Sequence, residues 1–324
     1  FISNSNGWLA MPWNDSIERR LKLKDLRALI AVIEEGGIGK AAERLNYSQP
    51  AISQAIANLE RTIGKRLMER GRKGIELTPY GVALLKCGVD IFDDLRKGVE
   101  KIELLADPTA GEVRVACTEP VSAGIVSEVI NRLVPRYPRI EFNVVSRQNE
   151  LIYRDLEARK VDLVIAQITD VPVEEHMQKE IIYHEAVVVV AGTQHPCARK
   201  RRLILADLAN EPWAMPPPGT FVRKLLTDAF RANGLQAPRI AVTALPHARM
   251  MLAANGRLLT IVPAVMLQVG ARHLSIKRLP IKLPANRRPV AIVTLKNRAL
   301  SPVVQLFIDT AREAAKQLAN VTLY

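Results

Sequence analysis

The side chains that could do chemistry gather first in "AAERLNYSQPAISQAIANLE", residues 41–60. Pro50, Ser53, Gln54, Ala57 and Arg61 fall on one side of a helical projection, with Ser48 and Gln49 just before them. Ile52, Ile56, Leu59 and Ile63 recur at helical spacing on the other, which is the pattern of a core stripe. An exposed helix face normally carries Lys and Glu. A helix lying in the major groove of DNA needs something else: side chains short enough to admit the backbone, and amides that pair with base edges. Gln bonds bidentately to adenine, and a small apolar group such as Ala touches a thymine methyl. The competing reading is a helix buried on both faces of a bundle, in which Ser53 and Gln54 would need polar partners.

Just downstream, "KRLMERGRKGIELTPYG" places Lys65, Arg66, Arg70, Arg72 and Lys73 around a hairpin-like loop, Arg70 to Glu76. Beside a groove-reading helix such a wing would hold phosphates, adding affinity without sequence information. An ordinary solvated basic loop is the alternative. The charge map agrees with a polyanion partner. The 324 residues carry a net +13, made of −2 over residues 1–18, +7 over 19–73, −3 over 74–110, −4 over 111–195 and +15 over 196–324.

Other chemistries find little support. No GxSxG, HExxH, Walker A or GxGxxG pattern occurs, and the five histidines (176, 184, 195, 247, 273) are scattered. An enzyme is not expected, nor a metal or cofactor. Cys87, Cys117 and Cys197 show no metal-ligand spacing and no disulfide framework, which fits a reducing compartment. A redox pair of Cys117 and Cys197 is an alternative to plain core packing. No apolar run reaches the ~18–20 residues that span a bilayer, and the N-terminus lacks the order of a secretory leader. A cytoplasmic protein without a membrane partner is expected. A solute-binding protein would explain only the later part of the chain and would need such a leader.

The elements that position these residues follow from periodicity and punctuation. Helices are expected at 23–35, 38–45 and from Ser48, a helix N-cap, to about residue 63. Pro50 sits in that last helix's first turn, where a missing N–H costs nothing. Thr78-Pro79 opens a long helix to about residue 105, whose Val82, Leu85, Val89, Phe92, Leu95, Val99 and Ile102 form one apolar stripe. That stripe suits a coiled-coil-like dimer seam, with packing on its own domain as the alternative. "ADPTAG" at 106–111 breaks the helix. Strand and helix then alternate, with helices at 121–134, 149–160, 220–233, 246–255 and 301–319, and buried apolar strands of the parallel-sheet kind between them. Two α/β lobes joined by crossing strands make a cleft, where ligands bind at strand ends.

The run "LRALIAVIEEGG…AAERLNYSQPAISQAIANLERTIGKRLMERGRKGIELTPYG" resembles the signature of LysR-type transcriptional regulators, and the likeness continues more loosely to about residue 318. Gly37-Ile38-Gly39, Met68, Tyr80 and Leu258 depart from residues common in that family. The resemblance implies an α plus α/β chain. It would have an N-terminal extension at 1–20, expected to be disordered, a winged helix-turn-helix at 21–78 and a dimerising linker helix at 79–110. A periplasmic-binding-protein-like effector domain would follow at 111–324, with lobe I about 111–183 and 285–324, and lobe II about 184–284. It implies a homodimer or homotetramer on an interrupted palindrome in promoter DNA, a small-molecule effector, and RNA polymerase as a further partner.

Carried onto this chain, the resemblance makes Ser48, Gln49, Pro50, Ser53 and Gln54 base readers, and Arg61, Arg70, Arg72 and Lys73 phosphate contacts. Effector contacts would be Cys117, Thr118 and Glu119, then Gln167 and Thr169, then Gly219 and Thr220, with His247 from the next helix. Thr118-Glu119 and Gly219-Thr220 each precede a helix, and helix N-termini favour anions. A small carboxylate is therefore the leading effector. Glu119 would repel one unless it turns away, so a hydroxylated or cationic ligand is the rival, and simple capping by Thr118 and Glu119 is the structural alternative. The acidic first lobe and basic second lobe suggest charge-steered antiparallel pairing of effector domains.

Overall fold

The computed structural model describes residues 20–71, 74–106, 110–147, 149–168, 174–269, 274–283 and 287–321. It divides into two compact units, one up to Val99 and one from Glu100 onward.

The first unit opens with α1 (Leu23–Glu35), α2 (Ile38–Leu45) and α3 (Gln49–Ile63). Each ends on a residue in the left-handed region: Gly36 (φ 72°), Asn46 (φ 53°) and Gly64 (φ 71°). Gly and Asn tolerate that conformation, so each helix stops after a few turns and the chain reverses. The buried faces meet in one core. Val32, Ala41, Ala42 and Ile52 pack together, and Leu26, Leu29, Ile56, Leu59 and Leu67 continue it. Truncating one of the fully buried aliphatic residues there would cost about 2–5 kcal/mol. The wing is an antiparallel pair, β1 (Met68–Gly71) and β2 (Gly74–Leu77).

Helix α4 (Pro79–Ala106) begins where Thr78 caps it. The Gly81 N–H donates to Thr78 Oγ1 at 3.1 Å, and that hydroxyl donates to the Arg66 carbonyl at 2.7 Å. The cap therefore also fastens the helix to the segment leading into the wing. Along α4, Val82, Leu95, Val99 and Ile102 are exposed, whereas Asp93 is buried with Lys97 Nζ 2.8 Å from its carboxylate.

The second unit is built on a nine-stranded sheet with the order β4-β3-β5-β11-β6-β9-β7-β8, β10 pairing with β6. Its strands are β3 (Ala110–Cys117), β4 (Arg139–Ser146), β5 (Leu163–Gln167), β6 (Met177–Gly192), β7 (Trp213–Met215), β8 (Ile240–Thr243), β9 (Leu259–Pro263), β10 (Ile276–Arg278) and β11 (Arg287–Leu295). β3 pairs in parallel with β4 and β5, and β7 with β8 and β9. The parallel reading fails at the centre, where β11 is antiparallel to β5 and β6, and β6 to β9. These two long strands run from one lobe to the other, and their register shifts between Val290 and Ala291.

Each lobe has its own core. Val113, Val115, Leu163, Ile165, Val290 and Phe307 anchor the first. Val189, Trp213, Phe230, Leu259 and Ile261 anchor the second, where the Trp213 and Phe230 rings meet edge to face with centroids 6.0 Å apart. The covering helices are α7 (Asn149–Glu157), α8 (Phe221–Ala232), α9 (Pro246–Asn255), α10 (Ala264–Gln268) and α11 (Pro302–Val321).

The single helix expected at 121–134 is in fact three pieces: α5 (Glu119–Val121), a π-helical segment (Ser122–Val126) and α6 (Ser127–Leu133). Gly124 leaves helical geometry (φ −101°, ψ −106°), and a Cβ there would lie 2.6 Å from Val265 Cγ1 on α10. Close packing of α10 on this glycine accompanies the break.

Candidate functional site

The first candidate surface is the outer face of α3. Ser48 caps the helix, its hydroxyl accepting from the Ala51 N–H at 3.3 Å, and Pro50 occupies the first turn. With Ile52, Ile56 and Leu59 buried below, Pro50, Ser53, Gln54, Ala57 and Arg61 are exposed on the opposite face, and Ser48 and Gln49 are exposed at the helix start. A doubly buried helix is thereby ruled out.

The face is partly ordered by its own hydrogen bonds. Gln54 Nε2 donates to Asn58 Oδ1 at 2.8 Å, and Arg61 Nη1 lies 3.5 Å from the same oxygen. Asn58 escaped the sequence reading, although its i,i+4 spacing from Gln54 was the available signal. Gln49 lies against Gly39 of α2, where a Cβ would stand 3.3 Å from Gln49 Nε2. A groove of about 310 Å³ beside the face is lined by Tyr47, Ala51, Gln54 and Asn58 together with Lys24 and Asp25 of α1. Arg70 contributes backbone to the wing, pairing with Ile75. Arg72 and Lys73 lie outside the described residues.

The second candidate surface lies between the lobes of the second unit. Cys117, the last residue of β3, is fully buried in the first lobe's core. Burial pushes its thiol up to about 11, against a hydrogen bond with Ser122. Its side chain packs into that core and does not face a cleft, which corrects the expectation of a thiol contact with an effector. Cys197 is buried in the other lobe's core, and burial together with the nearby Glu211 raises its pKa as well. The two thiols sit in separate cores, and neither has the lowered pKa of a reactive cysteine.

Thr118 is half-buried before α5 and makes no side-chain cap, so simple capping does not explain this pair. Glu119 reaches the other lobe, where its Oε1 accepts the backbone N–H of His247 at 2.9 Å. That N–H belongs to the first turn of α9, whose N-cap position is Leu245 and offers no side-chain cap. Two residues on, Arg249 is buried. Its Nη1 donates to Thr260 Oγ1 (3.1 Å) and the Ile261 carbonyl (2.6 Å), while its Nε is buried without a partner. Burial lowers the Arg249 pKa to about 10, and the charge of Glu119 works against that shift. Arg249 was missed in the sequence because an arginine on a helix ordinarily reads as a solvated cation.

Gly219 has φ +81°, a conformation that favours glycine. The Thr220 hydroxyl donates to the Pro217 carbonyl at 2.9 Å. Beside it the Arg288 guanidinium stacks 3.7 Å over the centroid of Phe221, the first residue of α8. Gln167 is half-buried at the end of β5, and Thr169 lies outside the described residues. Of the expected effector residues, then, Glu119 and His247 are brought into direct contact.

Two family models match the chain: the bacterial regulatory helix-turn-helix of the lysR family over residues 23–82, and the LysR substrate binding domain over residues 106–316. The chain belongs to the LysR family. It is a LysR-type transcriptional regulator with a DNA-binding helix-turn-helix and an effector-binding domain. Among its LysR-type relatives is the uncharacterized regulator YdcI of Escherichia coli, 26% identical over 311 residues, covering 94% of this chain and 99% of the relative. GbpR of Azospirillum brasilense is 26% identical over 306 residues, covering 94% and 90%. The LysR fold recurs in full-length CbnR complexed with its target DNA, with a TM-score of 0.61 and 23% identity over 91% of this chain and 100% of that one. It recurs too in a full-length OxyR variant from Pseudomonas aeruginosa, with a TM-score of 0.64 and 19% identity over 90% and 95%. Among the described residues, no helix of this LysR chain is long and apolar enough to cross a membrane.

Proposed function

We propose that this regulator docks α3 in the major groove of promoter DNA at an interrupted palindrome, and that a small organic acid bound between the lobes of the second unit sets its activity. The observation that carries the DNA half is the exposed amide-and-small face of α3 over a fully apolar underside. Ser48, Gln49, Pro50, Ser53 and Gln54 are its base readers. Arg61, the wing residues Arg70, Arg72 and Lys73, and Lys24 beside the groove are its phosphate contacts. CbnR, which shares the fold, is itself complexed with its target DNA.

The exposed apolar side chains Val82, Leu95, Val99 and Ile102 on α4 support a dimer seam. Dimers pairing into tetramers, a cytoplasmic setting and RNA polymerase as protein partner belong to the same reading.

For the effector half, the support is a pair of arginines at the candidate cleft, one from β11 and one from α9. Arg288 stacks beside Thr220 and the start of α8, and Arg249 lies buried under the start of α9. Thr118, Glu119, Gln167, Thr169, Gly219, Thr220 and His247 line the proposed site. Thermal unfolding of the full chain against a panel of small carboxylates tests this half. A ligand confined to the folded state raises the melting temperature with dose, by RT ln(1 + [L]/Kd) in free energy. A dose-dependent rise with a carboxylate-bearing compound is expected; a shift only from control compounds without a carboxylate would overturn the anionic preference.

A further inference from the structure

The Glu119–His247 contact is an anion-binding arrangement already holding an anion. The N-terminus of α9, a ten-residue helix, carries a partial positive charge and has no local side-chain cap. Beneath it, Arg249 is buried with Nε unpartnered. Glu119, from the opposite lobe, supplies the carboxylate that satisfies the His247 N–H and offsets the guanidinium charge. A ligand carboxylate would find its most favourable seat where Glu119 now sits. Taking that seat, however, sets Glu119 free beside a new negative charge, a pair of like charges that costs affinity. A ligand that also brings a positive group restores the balance.

We propose that the cleft takes an α-amino acid. Its carboxylate displaces Glu119 from the first turn of α9 above Arg249, and its ammonium pairs with the released Glu119. This rests on the reading of the cleft as the effector site and narrows the class of ligand. It also makes the apo contact an internal stand-in for effector, which ties the two lobes together until a ligand replaces it.

The test is ligand-dependent thermal unfolding of the full chain with the standard α-amino acids, one at a time. Each is compared with the acid lacking the amino group and the amine lacking the carboxylate. One amino acid is expected to shift the transition at a concentration at least about tenfold below that of either analogue, because charge-assisted pairs are the strong ones. Glu119→Gln keeps an acceptor for the His247 N–H but removes the charge. In that variant the amino acid and its des-amino analogue should bind within about threefold of each other, a change that a merely structural cap would not produce. The inference is overturned if the des-amino acid binds wild type equally well, if Glu119→Gln keeps the wild-type preference, or if plain acids bind and no amino acid does. No shift from any acid, amino acid or amine would overturn the effector reading as well.

Discussion

The Tyr183 hydroxyl donates to Glu185 Oε2 over 3.0 Å, between two buried residues on the same face of β6. The pair lies on the strand that runs from lobe to lobe, and Glu185 Oε1 accepts the Val265 N–H of α10 at 3.3 Å. Burial pushes the Glu185 carboxyl from its ordinary 4.5 up to about 7, overriding the hydrogen bonds from Tyr183 and from the Val265, Ala264 and Ala186 N–H groups.

This sets a pH dependence with a definite sign. Between about pH 4.5 and 7 the folded state holds a proton that the unfolded state has released, so this residue makes stability fall as pH rises. Below that window the residue costs nothing; above it the full penalty applies. Relative to Glu185→Gln, wild type should lose on the order of 2–3 kcal/mol between pH 5 and pH 8, read from the urea transition that reports the second unit. Parallel pH profiles for the two proteins would contradict the assignment.

Gly81 is a second point of leverage. A Cβ built there collides with the Leu67 carbonyl, a backbone atom that cannot swing away. Gly81→Ala should therefore destabilise the first unit by about 1–3 kcal/mol, the usual cost of forced overpacking, even though Ala is the better helix former. Gly98 on the same helix has nothing within 4 Å of its missing Cβ, so Gly98→Ala is the control and should be neutral or stabilising. Thermal melts of the two variants give the comparison.

The contrast between these sites shows what the sequence could and could not convey. The α3 face was legible because its pattern is local: an Ile/Leu stripe at helical spacing, a Ser cap, a Pro in the first turn and a short polar face opposite. The hairpin and α4 followed from equally local signals. The cleft was not legible in the same way. Glu119 and His247 are 128 positions apart, and nothing near either names the other. The burial of Arg249 is decided by β9, not by its own helix. The break at Gly124 depends on Val265 packing against it from α10, and β7 (Trp213–Met215) is too short to show a period. Cys117, placed at the cleft by family likeness, is turned into the core by the alternation of β3, a step of one residue that decides between ligand contact and packing.

The thiols make a third prediction. Cys117 and Cys197 are buried with raised pKa values, whereas Cys87 is exposed on α4. Alkylation of the native chain at pH 8 should leave Cys117 and Cys197 unmodified until denaturant is added, as mapped by peptide mass spectrometry. Rapid native labelling of both, or a disulfide between them under mild oxidation, would revive a redox signal.

Phosphate and base contacts should separate in salt titrations. Arg61→Ala should weaken binding by a similar factor on every duplex and reduce the slope of log K against log salt by about 1. An effect confined to one sequence would move Arg61 among the base readers.

The most direct test of the account is whether the α3 face reads sequence. Duplexes would be selected from a random library by the full chain, and affinities for the winning site and a scrambled one compared at one fixed salt concentration. The account predicts a preference of roughly a thousandfold or more for wild type. It also predicts that Gln54→Ala loses about 1–3 kcal/mol on the selected site, with little change on the scrambled one. Equal affinity of wild type for both duplexes, or equal losses on both in the variant, would leave α3 as a phosphate-binding helix and contradict the claim.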